Sequence, residues 1–269
     1  KMTELDGDVS YIGLPTSVIH SLNFDQEVSR SAIGQPIGSF YAYKEDGLFQ
    51  SEAEIKSYTN NKGELLQPNA KPGDIKFVDV NGDGVIDGND RDYIGNPLPD
   101  VTAGLTLGVN FHNFDLSLFF QGMFGNDVYD LTRYVGDFYN QSQYNKNSRV
   151  VNAWTPTNTN TDIPRVTMDD PNNNIRPSSY YVQDASFVRL KNMKIGYSVP
   201  QSILSKIKFN SLYIYAQATN LFTITGYDGI DPEVGLQSYS SDYRNLDMGV
   251  DRGIYPLSRT FTFGVNVSF

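Results

Sequence analysis

Cysteine is absent from this chain of 269 residues, histidine occurs twice and tryptophan once. The lack of cysteine excludes disulfides and thiolate metal sites, and it fits any compartment. The 21 lysines and arginines, against 31 aspartates and glutamates, form no cluster, so we expect no nucleic-acid partner. No apolar run approaches the ~20 residues that a membrane-spanning helix needs. These absences exclude a helical membrane protein. They do not exclude a membrane protein that is built from β-strands.

Catalytic machinery is also missing. Neither His20 nor His112 has a serine or cysteine nucleophile in a recognisable setting, and the glycines of "NGDGVIDG" do not match the dinucleotide fingerprint. Carboxylate pairs such as Asp169 and Asp170 lie in a segment rich in asparagine and proline, which is typical of a solvated loop. Because no acid, base and nucleophile set can be assembled, we do not expect an enzyme.

The strongest pattern in the sequence is a period of two. The odd positions from Ala103 to Phe111 are apolar and the even ones small or polar, and the stretch after His112 and Asn113 alternates in the same way. A connection of two residues between such runs predicts a hairpin. Residues 185–199, 210–220 and 261–269 give three more strands, and a change of the apolar register near Asn192 predicts a bulge.

The connections between these five strands alternate between short and long. They comprise two residues, about sixty (125–183), about nine (200–208) and nearly forty (221–257). Such sorting is typical of an outer-membrane barrel, which has short inner turns and long outer loops. It predicts that Phe269 ends on the periplasmic side and that loops 125–183 and 221–257 are extracellular. A soluble β-sandwich with one buried face is the alternative that periodicity alone leaves open.

We therefore predict an all-β protein that forms part of an antiparallel transmembrane β-barrel. The chain divides into two regions. Residues 1–100 contain upstream barrel strands and an extracellular loop region, and residues 101–269 contain transmembrane strands with the two long loops.

The upstream region includes "DVNGDGVIDGND", residues 79–90, which follows the spacing of a calcium-binding EF-hand loop. Gly84 stands where such a loop bends sharply, Ile86 stands at the position of an apolar anchor, and helices are not predicted on either side. An ordinary turn rich in Asx and glycine residues is the alternative. The predicted ligands are Asp79, Asn81, Asp83, the carbonyl of Val85, Asp87 and Asp90.

Six ordered blocks of the chain resemble the C-terminal part of SusC/RagA-type TonB-dependent outer-membrane transporters. They are "GQPIGSFYAYKEDGLFQ", "GDIKFVDVNGDGVIDGNDRDYIGNPLPD", "GLTLGVNFHNFDLSLFFQGMFGNDVYD", "SFVRLKNMKIGYSVP", "YIYAQATNLFTITGYDGIDPEVG" and "RGIYPLSRTFTFGVNVSF".

The resemblance implies a barrel of about 22 strands in the outer membrane of a Gram-negative bacterium, with a plug, a TonB box and a SusD-like surface lipoprotein as a lid. The substrate would be an oligosaccharide or a peptide. No plug or TonB box is found here, so we expect a C-terminal portion of a larger protein, contacting TonB through an N-terminal region. Phe269 resembles the signal that the barrel-assembly machinery reads.

Two other functions are compatible with the pattern. One is a passive outer-membrane porin, which a plug and a TonB box would exclude. The other is a soluble, calcium-stabilised carbohydrate-binding β-domain, which would stay dispersed without detergent.

Overall fold

A computed structural model describes residues 10–13, 27–139, 145–207, 209–235 and 248–269. His20 and parts of the two predicted long loops, 140–144 and 236–247, lie outside the described residues. None of the described helices has the length and apolar character that crossing a membrane would need. Fifteen strands are described: β1 Ser10–Gly13, β2 Glu27–Ser31, β3 Ser39–Tyr43, β4 Glu45–Leu48, β5 Ile75–Phe77, β6 Arg91–Gly95, β7 Val101–Phe111, β8 Phe114–Phe124, β9 Asp127–Asp130, β10 Val182–Asp184, β11 Phe187–Ser198, β12 Ser211–Thr219, β13 Thr223–Thr225, β14 Val250–Asp251 and β15 Thr260–Ser268.

Short helices complete the secondary structure. They are α1 Glu52–Ser57, α2 Thr132–Gly136 and α3 Gln201–Ile207, with single 3-10 turns at Gly88–Asp90, Ser148–Asn152 and Ser179–Tyr181. The chain separates into two compact units, each built from three stretches. The first unit comprises 1–98, 127–183 and 234–253, and the second comprises 99–126, 184–233 and 254–269.

The second unit is built on one antiparallel sheet. Its strands follow the order β15-β12-β11-β8-β7, with β13 added along β11. The β7–β8 hairpin turns at His112 and Asn113, as predicted, and His112 has the left-handed φ of +55°. The predicted bulge in β11 is also confirmed, because the pairing with β8 shifts between Leu190 and Asn192.

Apolar side chains run across this sheet in register. Val109 pairs with Leu116, Leu116 with Ile195, Ile195 with Ala216 and Ala216 with Phe263. These side chains are exposed or half-buried; Val109 is 59% and Phe263 80% exposed. In a soluble sandwich these rows would be covered, so the exposed rows contradict that arrangement for the described strands.

The opposite face of the sheet carries small and polar residues. Gly108, Ser117, Lys194, Gln217 and Thr262 form one continuous row across the five strands. Side chains alternate between the two faces of a strand, and the apolar pattern of β11 changes register near Asn192. The bulge at Asn192 therefore places the apolar residues of both halves of β11 on the same face as those of β8.

The first unit has a packed core of its own. Strands β1, β2, β3 and β6 form an antiparallel sheet, and β9 lies between β10 and β14. The rings of Tyr129 and Tyr181 stack with centroids 5.3 Å apart and are fully buried. Residues 125–183, predicted as a loop, therefore contribute aromatic core. The Tyr181 hydroxyl has a partner in this core, since it donates to the carbonyl of Ile175 at 2.9 Å. The Tyr129 hydroxyl is buried and has no hydrogen-bond partner among the described residues.

Strand β5 of the first unit is closed on one edge by amide side chains. The Ile75 N–H donates to Asn174 Oδ1 at 2.8 Å, and the Phe77 N–H donates to Gln67 Oε1 at 2.8 Å. The Ile75 carbonyl accepts from Gln67 and from Asn172 at 3.0 and 2.9 Å. Three buried amides thus replace the ladder that a further strand would make.

Replacing Asn174 by leucine should loosen β5, because it leaves the buried Ile75 N–H without an acceptor. We expect a local cost of about 1–3 kcal/mol, seen as faster hydrogen exchange at Ile75 and Phe77 in the full-length protein. Asn61→Leu is the exposed control. Equal exchange in both variants would contradict the role given to the amides.

Candidate functional site

The first half of the calcium-type loop is a series of tight turns closed by side-chain oxygens. Asp79 accepts hydrogen bonds from the N–H groups of Gly82 and Gly84, at 2.7 and 2.9 Å. Asn81 Oδ1 accepts from the Asp83 N–H at 2.8 Å, and Asp83 accepts from the Val85 N–H at 2.9 Å. Gly84 has a φ of +89°, so the sharp bend predicted at this position is present.

The second half of the loop is closed by Asp90. Its carboxylate is buried and accepts from the N–H groups of Val80 and Asp87 at 2.9 and 2.7 Å, which joins the two ends of the loop. Asp87 accepts from the Asn89 N–H at 2.8 Å and begins the 3-10 turn. Ile86 packs against the core of the first unit, as an apolar anchor should.

The oxygens of this loop therefore have backbone N–H groups as partners. Asn81, Asp83 and Asp87 are exposed, Asp79 is half-buried, and Val85 is 57% exposed. Within the described ranges, no three His, Cys, Asp or Glu side chains are arranged to hold a metal ion. The donor types suit a hard cation, and coordination would require some of these carboxylates to turn towards a common centre.

Phe269, the predicted assembly signal, lies just beyond β15 in the second unit. Its side chain is 84% exposed, and its ring makes an edge-on contact with Phe209 at a centroid distance of 5.7 Å.

A second feature, which we did not predict, is an ion-pair cluster in the second unit. Arg189 projects from the polar face of β11 and is 2% exposed, and its guanidinium donates to Asp231 at 2.5 Å, to Glu233 at 3.0 Å and to Thr223 at 2.8 Å. Lys191 binds the same Glu233 carboxylate at 2.8 Å. The cluster fastens the segment that follows β13 onto the sheet.

Asp231 is ionised in this cluster. Burial alone would raise the pKa of its carboxyl, but hydrogen bonds from Arg189 and from the N–H groups of Glu233 and Leu257 outweigh burial and lower the pKa. A carboxylate whose folded pKa is lowered stabilises the fold above its ordinary pKa, and that stabilisation is lost as the pH falls through the lowered value.

A cleft of about 560 Å³ opens beside this cluster. Its walls combine the apolar side chains of Phe222, Ile230 and Tyr255 with the polar groups of Asn220 and Arg259. Tyr255 is 90% and Ile230 61% exposed. The wall therefore offers both apolar surface and hydrogen-bonding groups to a ligand.

The first unit contains a separate pocket of about 640 Å³ with acidic walls. Burial, reinforced by the nearby Asp162 and partly offset by Arg133, raises the pKa of the Glu45 carboxyl to about 7. Asp46 and Asp162 at this pocket have basic partners, Lys76 at 2.7 Å and Arg149 at 3.5 Å. The pocket therefore loses negative charge as the pH falls through neutrality.

The sequence signal for the Arg189 cluster is present but weak. "RLK" places two cations on one face of β11, and "DPE" places two carboxylates at the same spacing about forty residues later. Neither tripeptide shows that the two meet. Their contact depends on the path of the chain between them, which reverses direction at β12.

An antiparallel sheet that exposes one apolar and one polar face is the wall of a membrane barrel rather than a soluble sandwich. Comparison with solved structures agrees, since the RagAB peptide importer in its "open-open" state covers 99% of this chain with a TM-score of 0.66 at 22% identity. The chain covers 25% of that structure. At this identity the likeness shows the fold, and the predicted fold class is confirmed.

Sequence relatives define the family. TonB-dependent receptor P3 of Formosa agariphila is 37% identical over the whole chain, and TonB-dependent receptor SusC of Bacteroides thetaiotaomicron is 27% identical over 90% of it. The chain belongs to the family of TonB-dependent receptors that includes SusC, and it spans about a quarter or less of the length of these relatives. No protein-family model matches the chain. The relatives are receptors and importers, in agreement with the expectation of a non-enzyme.

Replacing Arg189 by methionine should release the segment that carries Asp231, because a buried carboxylate would lose its cation. We expect a cost of about 3–5 kcal/mol, measured as faster protease cleavage between residues 226 and 235 in the full-length receptor.

Lys191→Met is the matched control for this prediction, because Lys191 and Glu233 are both partly exposed and their pair is worth about 1 kcal/mol or less. If both variants were cleaved at the same rate, the buried pair would not be what fastens the segment.

Proposed function

We propose that this chain forms part of the wall of a nutrient importer in the outer membrane of a Gram-negative bacterium. The observation that carries the proposal is the exposed apolar face of the β15-β12-β11-β8-β7 sheet, with a polar face behind it. Strands of 9 to 12 residues, as found here, have the length that a tilted membrane-spanning strand requires. The apolar face would contact lipid and the polar face would line the interior.

Aromatic rings at one end of this sheet support its placement in a membrane. Phe111, Phe114 and Tyr197 lie around the β7–β8 turn, and the rings of Phe114 and Tyr197 are 4.6 Å apart. Such rings are typical of the interface between lipid and water. Turns are short on the periplasmic side of such barrels and loops are long outside, so we propose that the turn at His112 and Asn113 is periplasmic and that residues 125–183 and 221–257 are extracellular.

Import would be energised through TonB, which would contact a region of the protein outside this chain. We propose a SusD-like surface lipoprotein as a lid, and an oligosaccharide or a peptide as substrate. A solved structure of similar fold is a peptide importer, which supports the peptide class. The oligosaccharide class rests on the resemblance to SusC/RagA-type transporters, so both classes stay in the proposal. The cleft beside Arg189 offers the mixed chemistry that either ligand would use.

Phe269 is proposed to be read by the barrel-assembly machinery during insertion. Its exposed ring at the end of β15 and the alternating residues before it support this role.

The assignment of faces can be tested by placing arginine at two adjacent positions of β7. Leu107→Arg puts a charge on the apolar face and should cost about 2–4 kcal/mol near the middle of the membrane, whereas Thr106→Arg should be tolerated in a polar interior. The measurement is the fraction of full-length receptor in the outer membrane that migrates as a folded barrel without boiling. Greater damage from Thr106→Arg, or full solubility without detergent, would contradict the proposal.

Import itself is tested by deleting the gene and comparing growth on purified oligosaccharides and on peptides, with and without TonB. Growth that needs both the receptor and TonB identifies an energised importer. Receptor-dependent growth that persists without TonB would indicate the passive porin instead.

We further propose that the loop 79–90 binds calcium through Asp79, Asn81, Asp83, the Val85 carbonyl, Asp87 and Asp90. The spacing supports this, as do Asp79, Asn81 and Asp83, whose oxygens lie within one set of consecutive turns. A bound cation would hold an extracellular loop that has little buried surface of its own and would stiffen the outer rim near the lid.

If calcium binds, chelation should speed protease cleavage within residues 79–90 of the wild-type receptor, and Asp83→Asn should remove that calcium dependence. Asp92→Asn is the control, because Asp92 is exposed and outside the loop. Asp90→Asn should weaken the loop even in chelator, since Asp90 accepts backbone N–H groups at both ends of the loop. If cleavage of the wild-type receptor is the same with calcium and with chelator, the proposal is wrong.

A further inference from the structure

Two tyrosines of β12 lie across glycines of the neighbouring strands. The ring of Tyr213 covers Gly196 of β11, and the ring of Tyr215 covers Gly264 of β15. A Cβ atom at either glycine would fall well inside the 3.0 Å that real Cβ atoms keep from other heavy atoms. Only glycine leaves room for these rings.

Tyr213 reaches beyond the strand next to its own. Its hydroxyl donates to Asp115 of β8 at 2.9 Å, and Asp115 is the residue opposite Gly196 in the β8–β11 ladder. The side chain therefore starts on β12, crosses β11 at the glycine and ends on β8. One residue contacts three successive strands.

Tyr215 makes the corresponding contact on the other side of β12. Gly264 is its direct partner in the β12–β15 ladder. The two rings lie side by side, with centroids 5.8 Å apart and planes 26° apart, and the Lys194 ammonium lies 5.0 Å from both centroids. Together the two tyrosines link four of the five strands on the polar face.

Glycine inside a strand weakens it, so these two positions need a reason. Glycine alone does not create the arrangement, because Gly108 on the same face of β7 has open space above it. The rings of Tyr213 and Tyr215 occupy the space that a side chain at Gly196 or Gly264 would fill.

The alternation of apolar and polar residues prevents some errors in strand pairing and permits others. A slip of one residue turns every side chain to the wrong face and is excluded by that alternation. A slip of two residues preserves the faces. It would place Thr262 or Asn266 opposite Tyr215, and Lys194 or Ser198 beneath Tyr213, and each of these has a Cβ where the ring must lie.

We propose that Tyr213 with Gly196 and Tyr215 with Gly264 form an interlock that selects the register of β8, β11, β12 and β15 during assembly. The interlock distinguishes the native pairing from slips of two residues, which the apolar and polar faces leave equally acceptable. This role is independent of the substrate and of transport.

The test introduces cysteine pairs into the full-length receptor at facing positions of β12 and β15. Ala216 faces Phe263 in the native register, and a slip of two would bring Ala216 opposite Phe261 or Val265. Cross-linking of the pair 216/263 therefore reports native pairing, and cross-linking of 216/261 or 216/265 reports the slip. The folded fraction is measured in parallel by migration without boiling.

Gly264→Ala should lower the folded fraction and shift cross-linking from 216/263 towards the slipped pairs, while Gly108→Ala should change neither. Gly196→Ala should lower the folded fraction in the same way. In the background of Tyr215→Ala, adding Gly264→Ala should cause no further change, because the ring that it would strike is gone.

Two results would overturn the interlock. One is native cross-linking and an unchanged folded fraction in both Gly264→Ala and Gly196→Ala. The other is a further loss from Gly264→Ala in the Tyr215→Ala background as large as its loss in the wild type.

Discussion

The structure of the second unit depends on one constraint: all five strands must place their apolar side chains on one face of the sheet and their polar side chains on the other. Each ladder transmits this constraint to the next, so that Val109 on β7 and Phe263 on β15 share a face although they are separated by more than 150 residues in the chain. A shift of one residue in the pairing would move polar side chains to the apolar face and apolar side chains to the polar face. The bulge at Asn192 is the local adjustment that preserves the agreement.

Two further features, one in each unit, depend on buried or partly buried charge. In the calcium-type loop, carboxylates accept backbone N–H groups, and Asp90 joins the loop ends. In the cluster on β11, the guanidinium of Arg189 neutralises two carboxylates brought from a distant segment. Charged side chains thus order two segments, the loop 79–90 and the stretch after β13, by hydrogen bonds and ion pairs.

The sequence predicted the strands well because a period of two is a local property. The hairpin at His112 and the bulge near Asn192 could both be located from a few residues. The core of the first unit could not. Tyr129 and Tyr181 lie near the two ends of residues 125–183, a stretch predicted as a loop, so their stacking depends on tertiary contacts that no local pattern shows. The partners of Arg189 were missed for the same reason, since the chain between β11 and Asp231 reverses direction.

The loop 79–90 shows the limit of spacing as evidence. The sharp bend at Gly84 and the apolar anchor Ile86 were predicted from the spacing, and both are present. In the structure its carboxylates accept backbone N–H groups, and the spacing of the residues alone does not distinguish such turns from a cation site.

The parallel pairing of β9 with β14 has a consequence for the order of events after synthesis. Val250 joins Tyr129, and both belong to a unit whose three stretches are interrupted by β7, β8, β11, β12 and β13. The chain between Tyr129 and Val250 contains β11, β12 and β13, so the first unit can close around β9 only by closing a long loop. Because contacts of large sequence separation form more slowly than local hairpins such as β7–β8, we expect the core around Tyr129 and Tyr181 to become ordered late.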